Sequence, residues 1–194
     1  NLKEGEILIA PFHNQHFRHQ VLLWNPYNLQ LLKSTNGDIV YKLWDNLYAV
    51  FHKNLTYFDD LHIYGLQSKG FKRIKNIYFG DSYSFKRIKA VLGIHKYKNI
   101  YIAEDYWIGV YDLKGQEVSL ENREDPVRDL FYSKANDKLI IASEDAIAAV
   151  NLDEEGRFQE NESTIQLQYK YANGVMIDER IHVITQELRN DENK

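Results

Sequence analysis

The chain of 194 residues is 44% hydrophobic and 27% charged, which is typical of a globular protein and unlike a disordered segment. Its longest apolar runs are about five residues, far below the ~20 that a membrane-spanning helix needs. The formal net charge is -4, and cysteine is absent, which excludes disulfides and thiolate chemistry. No signal-peptide pattern is visible, and we expect an intracellular protein, cytoplasmic or nuclear.

Short runs rich in branched and aromatic residues recur along the chain and alternate with turn residues, as in β-strands. A first class of run reads ILIAPF, LYAVFH, IYIAED, LIIASE and IHVITQ, starting at Ile7, Leu47, Ile100, Leu139 and Ile181. A second class follows the first four of these and reads VLLWNP, LHIYGL, IGVYDL and IAAVNL, starting at Val21, Leu61, Ile108 and Ile147. A spacing of about 40 residues between units predicts repeated strand-turn-strand modules.

The residues between these runs favour tight turns. Gly115 and Gly156 follow second-class runs at places where a hairpin needs positive φ. Asn99, and Asn136 with Asp137, stand just before strands and tolerate the left-handed region. The best helical candidate, residues 121–130, is broken by Pro126, so we expect no helix of useful length.

These features predict an all-β fold, a β-propeller-like array of four to five antiparallel blades. Such a number fits either a small closed propeller or part of a larger one. We expect a single domain over residues 1–194, with approximate units at 1–36, 37–81, 85–122, 125–163 and 164–194.

The segments VLLWNPYNLQLL, from Val21, and IGVYDLKGQEVSL, from Ile108, resemble the third and fourth strands of a WD40-type blade. The resemblance covers most of the chain as a pattern. The family's Gly-His pair is absent, and its Trp-Asp pair is present only as Trp24-Asn25 and Tyr111-Asp112, while Trp44-Asp45 falls in a predicted innermost strand. Similarity to WD40-like propellers implies protein partners in multi-subunit complexes and rigid presentation of loops without bond-making.

The pentapeptide Phe-Lys-Arg-Ile-Lys occurs at 71–75 and again at 85–89, in a segment from Lys69 to Lys98 that holds nine Lys or Arg and one acid, Asp81. The first copy is predicted on an outer strand of the second unit, and the second copy just before the third unit. This is either a solvated edge strand whose charges oppose aggregation or a basic patch that binds a partner. The basic patch consists of Lys69, Lys72, Arg73, Lys75, Lys86, Arg87 and Lys89.

Other polar clusters favour structural roles. His13, His16 and His19 lie between two predicted strands, and with no cysteine or carboxylate pair to complete a site we expect a polar loop and no metal. Paired acids stand at 59–60, 104–105, 144–145 and 153–155, and neighbours in a strand point to opposite faces, so none forms a catalytic dyad by itself. The equivalent places of 104–105 and 144–145 predict a repeated turn role. The three tryptophans, Trp24, Trp44 and Trp107, are expected to pack between blades.

We therefore predict a non-catalytic protein-protein interaction scaffold, a subunit or domain of a multi-protein complex, with no cofactor and no membrane insertion. One alternative is a nucleic-acid-binding propeller that uses the basic segment 69–98. Another is a propeller hydrolase or lyase with its site at the channel mouth. A protein is favoured over a nucleic acid as the partner, because the overall charge is acidic and the motifs of dedicated nucleic-acid modules are missing.

Overall fold

The computed structural model describes residues 9–13, 19–24, 31–36, 39–45, 47–54, 57–67, 70–78 and 88–186. Within these ranges the chain forms five antiparallel sheets, each built from consecutive strands, and the predicted all-β, propeller-like array of blades is confirmed. The described residues contain no helix, and so none long and apolar enough to cross a membrane. We number the sheets as blades 1 to 5 in chain order.

The chain divides into two compact units, residues 1–86 and 87–194. The first unit holds two blades. Blade 1 contains β1 (Ile9–His13), β2 (His19–Trp24) and β3 (Leu31–Asn36). Blade 2 contains β4 (Ile39–Lys42), β5 (Leu47–Asn54), β6 (Tyr57–Gln67) and β7 (Gly70–Tyr78), and β7 is an edge strand of its sheet.

The second unit holds the other three blades. Blade 3 contains β8 (Ala90–Ile94), β9 (Asn99–Ala103), β10 (Trp107–Asp112) and β11 (Glu117–Asn122). Blade 4 contains β12 (Val127–Ser133), β13 (Lys138–Ser143), β14 (Ala146–Leu152) and β15 (Phe158–Gln166). Blade 5, in the described residues, contains β16 (Lys170–Ile177) and β17 (Arg180–Gln186).

Both predicted classes of run form strands. The first class falls in β1, β5, β9, β13 and β17, and the second in β2, β6, β10 and β14. Alternation explains this outcome in β14, where residues at even positions are buried and those at odd positions are half-buried. The local pattern of branched and aromatic residues therefore identifies these strands.

Blades 3 and 4 pack face to face. We call the face of a blade toward the next blade in the chain its forward face, and the opposite one its backward face. The forward face of blade 3 contributes Ala90, Ile94, Tyr101, Ala103, Ile108 and Val110 to one buried cluster. The backward face of blade 4 contributes Val127, Leu130, Leu139, Ile141, Ala148, Val150 and Leu152. Full burial of a Val, Leu or Ile side chain stabilises the fold by about 1.5–3 kcal/mol, so this cluster is the main source of stabilisation between the two blades.

Two hairpin turns in this unit have the same construction. Gly115 and Gly156 have φ of 83° and 79°, as predicted. Asp112 Oδ1 accepts hydrogen bonds from the backbone N–H groups of Lys114 (2.6 Å) and Gln116 (2.9 Å). Asp153 Oδ1 accepts from Glu155 and Arg157 in the same way, at 3.0 Å and 2.8 Å. An aspartate that starts the turn and a glycine that closes it therefore fix both hairpins.

Two local predictions are wrong. The positive φ before β9 belongs to Lys98 (59°) and not to Asn99, which is the first residue of β9 and only 4% exposed. Trp44 and Asp45 lie in the turn between β4 and β5 instead of in an innermost strand, because the Leu47 N–H bonds the Trp44 carbonyl at 2.8 Å and Asp45 has φ of 45°. Asp137, with φ of 54°, adopts the conformation that was predicted.

Candidate interaction surfaces

Backbone hydrogen bonds join each of blades 3 and 4 to the next blade. The turn between the second and third strands of the earlier blade supplies the carbonyl acceptor. The Asp105 carbonyl, between β9 and β10, accepts from the N–H of Val127, the first residue of blade 4, at 2.7 Å. The Glu144 carbonyl, between β13 and β14, accepts from the N–H of Tyr171 in blade 5, also at 2.7 Å. The predicted turn role of the 104–105 and 144–145 acid pairs is confirmed, and these turns also hold the next blade.

The side chains of the same turns form matching ion pairs. Lys89, just before β8, lies 2.9 Å from Asp105, and Arg128, at the start of β12, lies 3.2 Å from Glu144. Glu144 also lies 2.6 Å from Lys170 of blade 5. The hydrogen bond from Lys170, with the help of Arg128, holds the pKa of Glu144 below its usual value, so this carboxylate is ionised at neutral pH. Arg128, Glu144 and Lys170 line an open pocket of about 340 Å³ together with Tyr171, Ala172 and Gln186.

At the opposite end, blade 3 binds the β14–β15 turn of blade 4. The Tyr101 hydroxyl donates to the Gly156 carbonyl at 2.6 Å, and Asn99 Nδ2 donates to the Glu155 carbonyl at 2.7 Å. Burial raises the pKa of Tyr101 well above its ordinary range, so it remains a neutral donor. A Cβ on Gly156 would lie 2.8 Å from the Tyr101 hydroxyl and 2.9 Å from Asn99 Nδ2.

The Asp137 carboxylate accepts hydrogen bonds from side chains of two blades at this end. Its carboxylate accepts from the Tyr97 hydroxyl at 2.9 Å and the Tyr132 hydroxyl at 2.6 Å, and it also bonds Lys96. Desolvation raises the pKa of Asp137, but the Lys96, Tyr132 and Tyr97 donors together outweigh it and hold the pKa below its usual value. The cluster is therefore a polar clamp between the β8–β9 and β12–β13 turns.

The outer strands carry a third type of link. Arg123, which follows β11, forms a two-pronged ion pair with Glu162 on β15, with N–O distances of 2.6 Å and 2.9 Å. The hydrogen bond to Glu162 raises the pKa of Arg123, and the same contact lowers the pKa of Glu162. Paired guanidinium and carboxylate groups of this geometry are directional, so they fix the outer edge of blade 4 against blade 3.

The described residues contain only part of the predicted basic patch. Lys72, Arg73 and Lys75 lie on the edge strand β7, where Ile74 between them is 57% exposed. Lys89 lies in the second unit, in its ion pair with Asp105. The remaining members, Lys69, Lys86 and Arg87, lie outside the described residues. The patch as a partner site stays a prediction.

The histidine and acid clusters are placed in part. His13 and His19 are paired in the backbone register of the β1–β2 hairpin, and His16 lies outside the described residues. Asp59 and Asp60 lie on β6. In the part of the chain that the structure describes, no three side chains of the His, Asp or Glu type come together as a metal site would require. Trp44 is buried, at 9% exposure, and Trp107 is half-buried at the start of β10.

Blade 5 exposes large apolar side chains that the prediction of sites did not include. Val175 and Ile177 on β16 are 51% and 52% exposed, and Ile184 on β17 is 65% exposed. They share one face with Arg180 and His182, which are also exposed. The alternation of IHVITQ indicates a strand with two different faces, but only the structure shows which face is left uncovered.

Neither a protein-family model nor a curated relative matches the sequence. Among solved structures, the chain is similar to Sqt1 of Saccharomyces cerevisiae, with 14% identity and a TM-score of 0.57, covering 80% of this chain and 44% of that one. It is also similar to a chain in the crystal structure of the mitotic checkpoint complex, with 9% identity and a TM-score of 0.54, covering 79% of this chain and 48% of that one.

Both of these structures are WD40-type propeller proteins, and the likeness shows that this chain has a WD40-like fold. At such low identities the likeness establishes the fold and nothing about activity. The chain spans less than half the length of each of these two proteins.

Proposed function

We propose that this chain is a non-catalytic scaffold for protein-protein interaction, acting as a subunit or domain of a multi-protein complex inside the cell. The observation that carries the proposal is the surface of β7, an edge strand on which an exposed Ile74 lies between Arg73 and Lys75. A strand edge that carries both an exposed apolar side chain and several cationic residues suits an acidic protein surface that also has an apolar contact. It suits a phosphate backbone less well, because the apolar contact would gain nothing there.

The electrostatics of the second unit support a scaffold over a hydrolase or lyase. A general acid needs a carboxyl whose pKa is raised toward neutrality. The pKa values of Asp137, Glu144, Asp153 and Glu162 are lowered, because cations or backbone and hydroxyl donors hold them ionised. Burial raises the pKa of Asp129, but its carboxylate accepts hydrogen bonds from the Leu130 N–H and the Tyr171 hydroxyl. These groups serve the junctions between blades and are poorly suited to proton transfer.

The fold comparison adds a second line of support. One of the similar chains belongs to an assembly, the mitotic checkpoint complex. A stack of blades tied at both ends has little internal freedom, so it can present loops and edges in fixed geometry and lose little conformational entropy on binding. This chain would present its edges in that way, with its partner held against Lys72, Arg73 and Lys75 on β7.

The test is affinity purification of the chain expressed at its native level, with gentle lysis and cross-linking. We expect a stoichiometric protein partner that is lost when Lys72, Arg73 and Arg87 are changed together to Glu. Lys89 is left intact because it pairs with Asp105 within blade 3. A matched control changes Lys114 and Lys134, both on exposed turns, to Glu and should retain the partner.

Three results would contradict parts of the proposal. A chain that purifies alone contradicts the scaffold function. A partner that survives the triple charge reversal contradicts the basic contact. Recovery of nucleic acid with a steep loss of affinity in salt would favour the nucleic-acid alternative, since each neutralised phosphate adds to that dependence.

A further inference from the structure

An ion pair that blades 3 and 4 share is replaced by uncharged residues in blade 5. The backbone register makes three residue pairs equivalent: Ala90 with Ala103, Asp129 with Ala142, and Asn173 with Ile184. The ion pair joins the residue just before the first member to the residue two places after the second. These residues are Lys89 and Asp105 in blade 3, Arg128 and Glu144 in blade 4, and Ala172 and Gln186 in blade 5.

The open pocket of about 340 Å³ lies at the replaced pair. Ala172 and Gln186 both line it, and Ala172 is exposed. Arg128 and Ala172 each stand at a bulge in the first strand of their blades, which supports their equivalence. Arg128 reaches Glu144 at 3.2 Å, whereas the side chain of Ala172 ends at its Cβ. Blade 5 therefore leaves open the space that a long cationic side chain would fill.

The junction between blades 4 and 5 also has a cation that the junction before it lacks. Val127 and Tyr171 are equivalent, because each donates its N–H to the turn of the preceding blade. The residue before Val127 is Pro126, and the residue before Tyr171 is Lys170. Lys170 bonds Glu144 at 2.6 Å, so this acid holds one cation more than its equivalent, Asp105, holds in the described contacts.

The Glu144 carboxylate holds its two cations side by side. Its Oε1 accepts from Lys170 Nζ at 2.6 Å, and its Oε2 accepts from Arg128 Nη2 at 3.2 Å. Within the described residues, neither cation bonds any other acceptor. An arginine side chain has five N–H donors and a lysine three, and these two side chains are 35% and 36% exposed. Most of their donors are therefore available to a ligand.

The charges around the pocket favour recognition through directed hydrogen bonds. The hydrogen bond to Glu144, and in smaller part the charge of the exposed Asp145, raise the pKa of Lys170, so Lys170 is a cation at neutral pH. The two acids balance the two cations in number. A ligand would therefore be held by N–H donors in fixed positions, which are strong when the acceptor is an anion.

The pocket does not depend on what covers the forward face of blade 5. Its charged residues come from the beginning of β12, the β13–β14 turn and the beginning of β16. All three places lie at the ends of strands, in two blades that are both present. The arrangement of Arg128, Glu144 and Lys170 is thus a property of the junction itself.

We propose that this pocket, which we call the anion pocket, binds the phosphate or carboxylate group of a small molecule through Arg128, Lys170 and the Gln186 amide. Guanidinium and ammonium groups are the donors that proteins use for such oxygens. The volume matches small-molecule sites, which measure about 300–1,000 Å³, and leaves room for further atoms of the ligand over Ala172. This site goes beyond the scaffold function and does not depend on it.

The test titrates inorganic phosphate, and separately acetate, into the full chain at an ionic strength held constant with sodium chloride. Proton-nitrogen NMR follows the backbone amides of Tyr171 and Ala172 and the Nε–H of Arg128. We expect shifts at these groups that saturate with the added anion. The probe that binds more tightly identifies the anionic group of the ligand as phosphate or carboxylate.

Variants of the anion pocket connect this binding to its residues. Lys170→Gln and Arg128→Gln should each weaken it by about tenfold or more, because each removes a charge-assisted hydrogen bond. Lys134→Gln, on the exposed β12–β13 turn at the opposite end of blade 4, is the matched control and should not alter it. Ala172→Arg together with Gln186→Glu keeps both cations and the net charge. This double variant restores the ion pair of the earlier blades, so it should fill the pocket and abolish binding while the melting temperature is retained.

The proposal is overturned if neither probe gives a saturating shift, or if binding survives the glutamine variants or the double change. The chain's own tail is the other candidate occupant, because Glu187, Asp191 and Glu192 follow β17. A response that appears only after Glu187→Gln, Asp191→Asn and Glu192→Gln would assign the pocket to the tail and overturn binding of a small molecule. Loss of a protein partner bears on the scaffold function alone, so the two proposals fail separately.

Discussion

Gly156 is subject to two constraints that act independently. Its φ of 79° lies in a region that residues with a Cβ rarely adopt, and blade 3 leaves no room for a Cβ. The equivalent Gly115 has the same conformation, with φ of 83°, but no such crowding among the described residues. The pair thus separates the conformational role of a turn glycine from its role in packing.

We expect Gly156→Ala to lower the free energy of unfolding by more than Gly115→Ala does. Gly115→Ala should cost about 1–2 kcal/mol, because the left-handed region is strained for alanine. Gly156→Ala adds the displacement of Tyr101 and Asn99 from their carbonyl partners, at about 1 kcal/mol for each hydrogen bond lost. Urea denaturation of the two variants measures the difference, and equal midpoints would show that the contact with blade 3 contributes nothing.

Ionisation of Asp129 should destabilise the folded chain, whereas ionisation of most carboxylates with a shifted pKa in this unit stabilises it. Burial raises its pKa above 3.8, against the opposing bonds from the Leu130 N–H and the Tyr171 hydroxyl. The unfolded chain loses this proton at a lower pH than the folded chain does, so stability falls as pH rises from 3.8 through the folded pKa. Blade 5 carries Asn173 at this position, whose Oδ1 accepts from the Gly174 N–H at 2.7 Å.

Asp129→Asn should therefore be more stable than the native chain at pH 7, with a gain that disappears below about pH 3, where the aspartate is neutral in both states. Asp137→Asn is the control of opposite sign. Because the pKa of Asp137 is lowered, its ionised carboxylate stabilises the folded chain above pH 3.8, and this stabilisation is lost as the pH falls through the folded pKa. The Asp137→Asn variant should therefore be less stable than the native chain at pH 7. Thermal melts between pH 2.5 and 7 measure both, and a destabilised Asp129→Asn at pH 7 would contradict the assignment.

At the scale of the strand, position within the blade decides burial. All five residues of β9 are buried, and so are five of the six in β13, whereas residues 159–166 of β15 are exposed. The inner strands are buried on both faces, and the outer strands lie at the sheet edge. The long charged side chains of β15 are typical of an edge that must not pair with another sheet.

We expect amide hydrogen exchange to follow this order within blade 4. The amides of β13 should exchange only through global unfolding, because both faces of the strand are covered. The outward amides of β15 should exchange several orders of magnitude faster, through local opening. Exchange measured by NMR or mass spectrometry gives the comparison, and equal protection of β13 and β15 would contradict it.

The strands that sequence predicts and those it misses differ for a physical reason. The runs in β9, β10, β13 and β14 combine alternation with Asp and Gly turn chemistry, both of which are local. The first strand of blade 4 is not evident from the sequence, because a bulge between Val127 and Asp129 shifts the alternation. Its buried residues are therefore three positions apart, at Val127, Leu130 and Ser133. The ion pair of Lys89 with Asp105 joins residues on either side of a hairpin, so no local sequence pattern predicts it. The one indication in the sequence is the equivalent pair in the next blade, Arg128 with Glu144.

At the scale of the molecule, the three blades of the second unit are joined at both ends and through their faces. Repeat proteins unfold together when the interfaces between repeats are strong compared with the repeats alone. The uncovered face of blade 5 could not be read from sequence, because exposure depends on what packs against a strand and not on the strand itself. The local sequence pattern predicts the strands of a blade, whereas the packing of neighbouring blades decides which of its surfaces are exposed.

We therefore expect Gly156→Ala, a change within blade 4, to reduce the hydrogen-exchange protection of β9 in blade 3 as much as that of β13. The reason is that blades 3 and 4 share one apolar cluster, so neither can open alone without exposing it. Loss of protection in β13 with β9 unchanged would mean that the blades unfold separately. Leu120→Asp, on the exposed side of β11, serves as a control that should change neither.

Each junction in this unit is asymmetric. The earlier blade offers a carbonyl oxygen at one end, from Asp105 or Glu144, and the later blade supplies the N–H; at the other end of the first junction the donors Asn99 and Tyr101 belong to the earlier blade. The stack thus has a polarity, because the forward face of blade 3 and the backward face of blade 4 carry complementary donors and acceptors. Tandem duplication of a whole unit lengthens such a stack without redesign, whereas the same sheets in reversed order would set donor against donor.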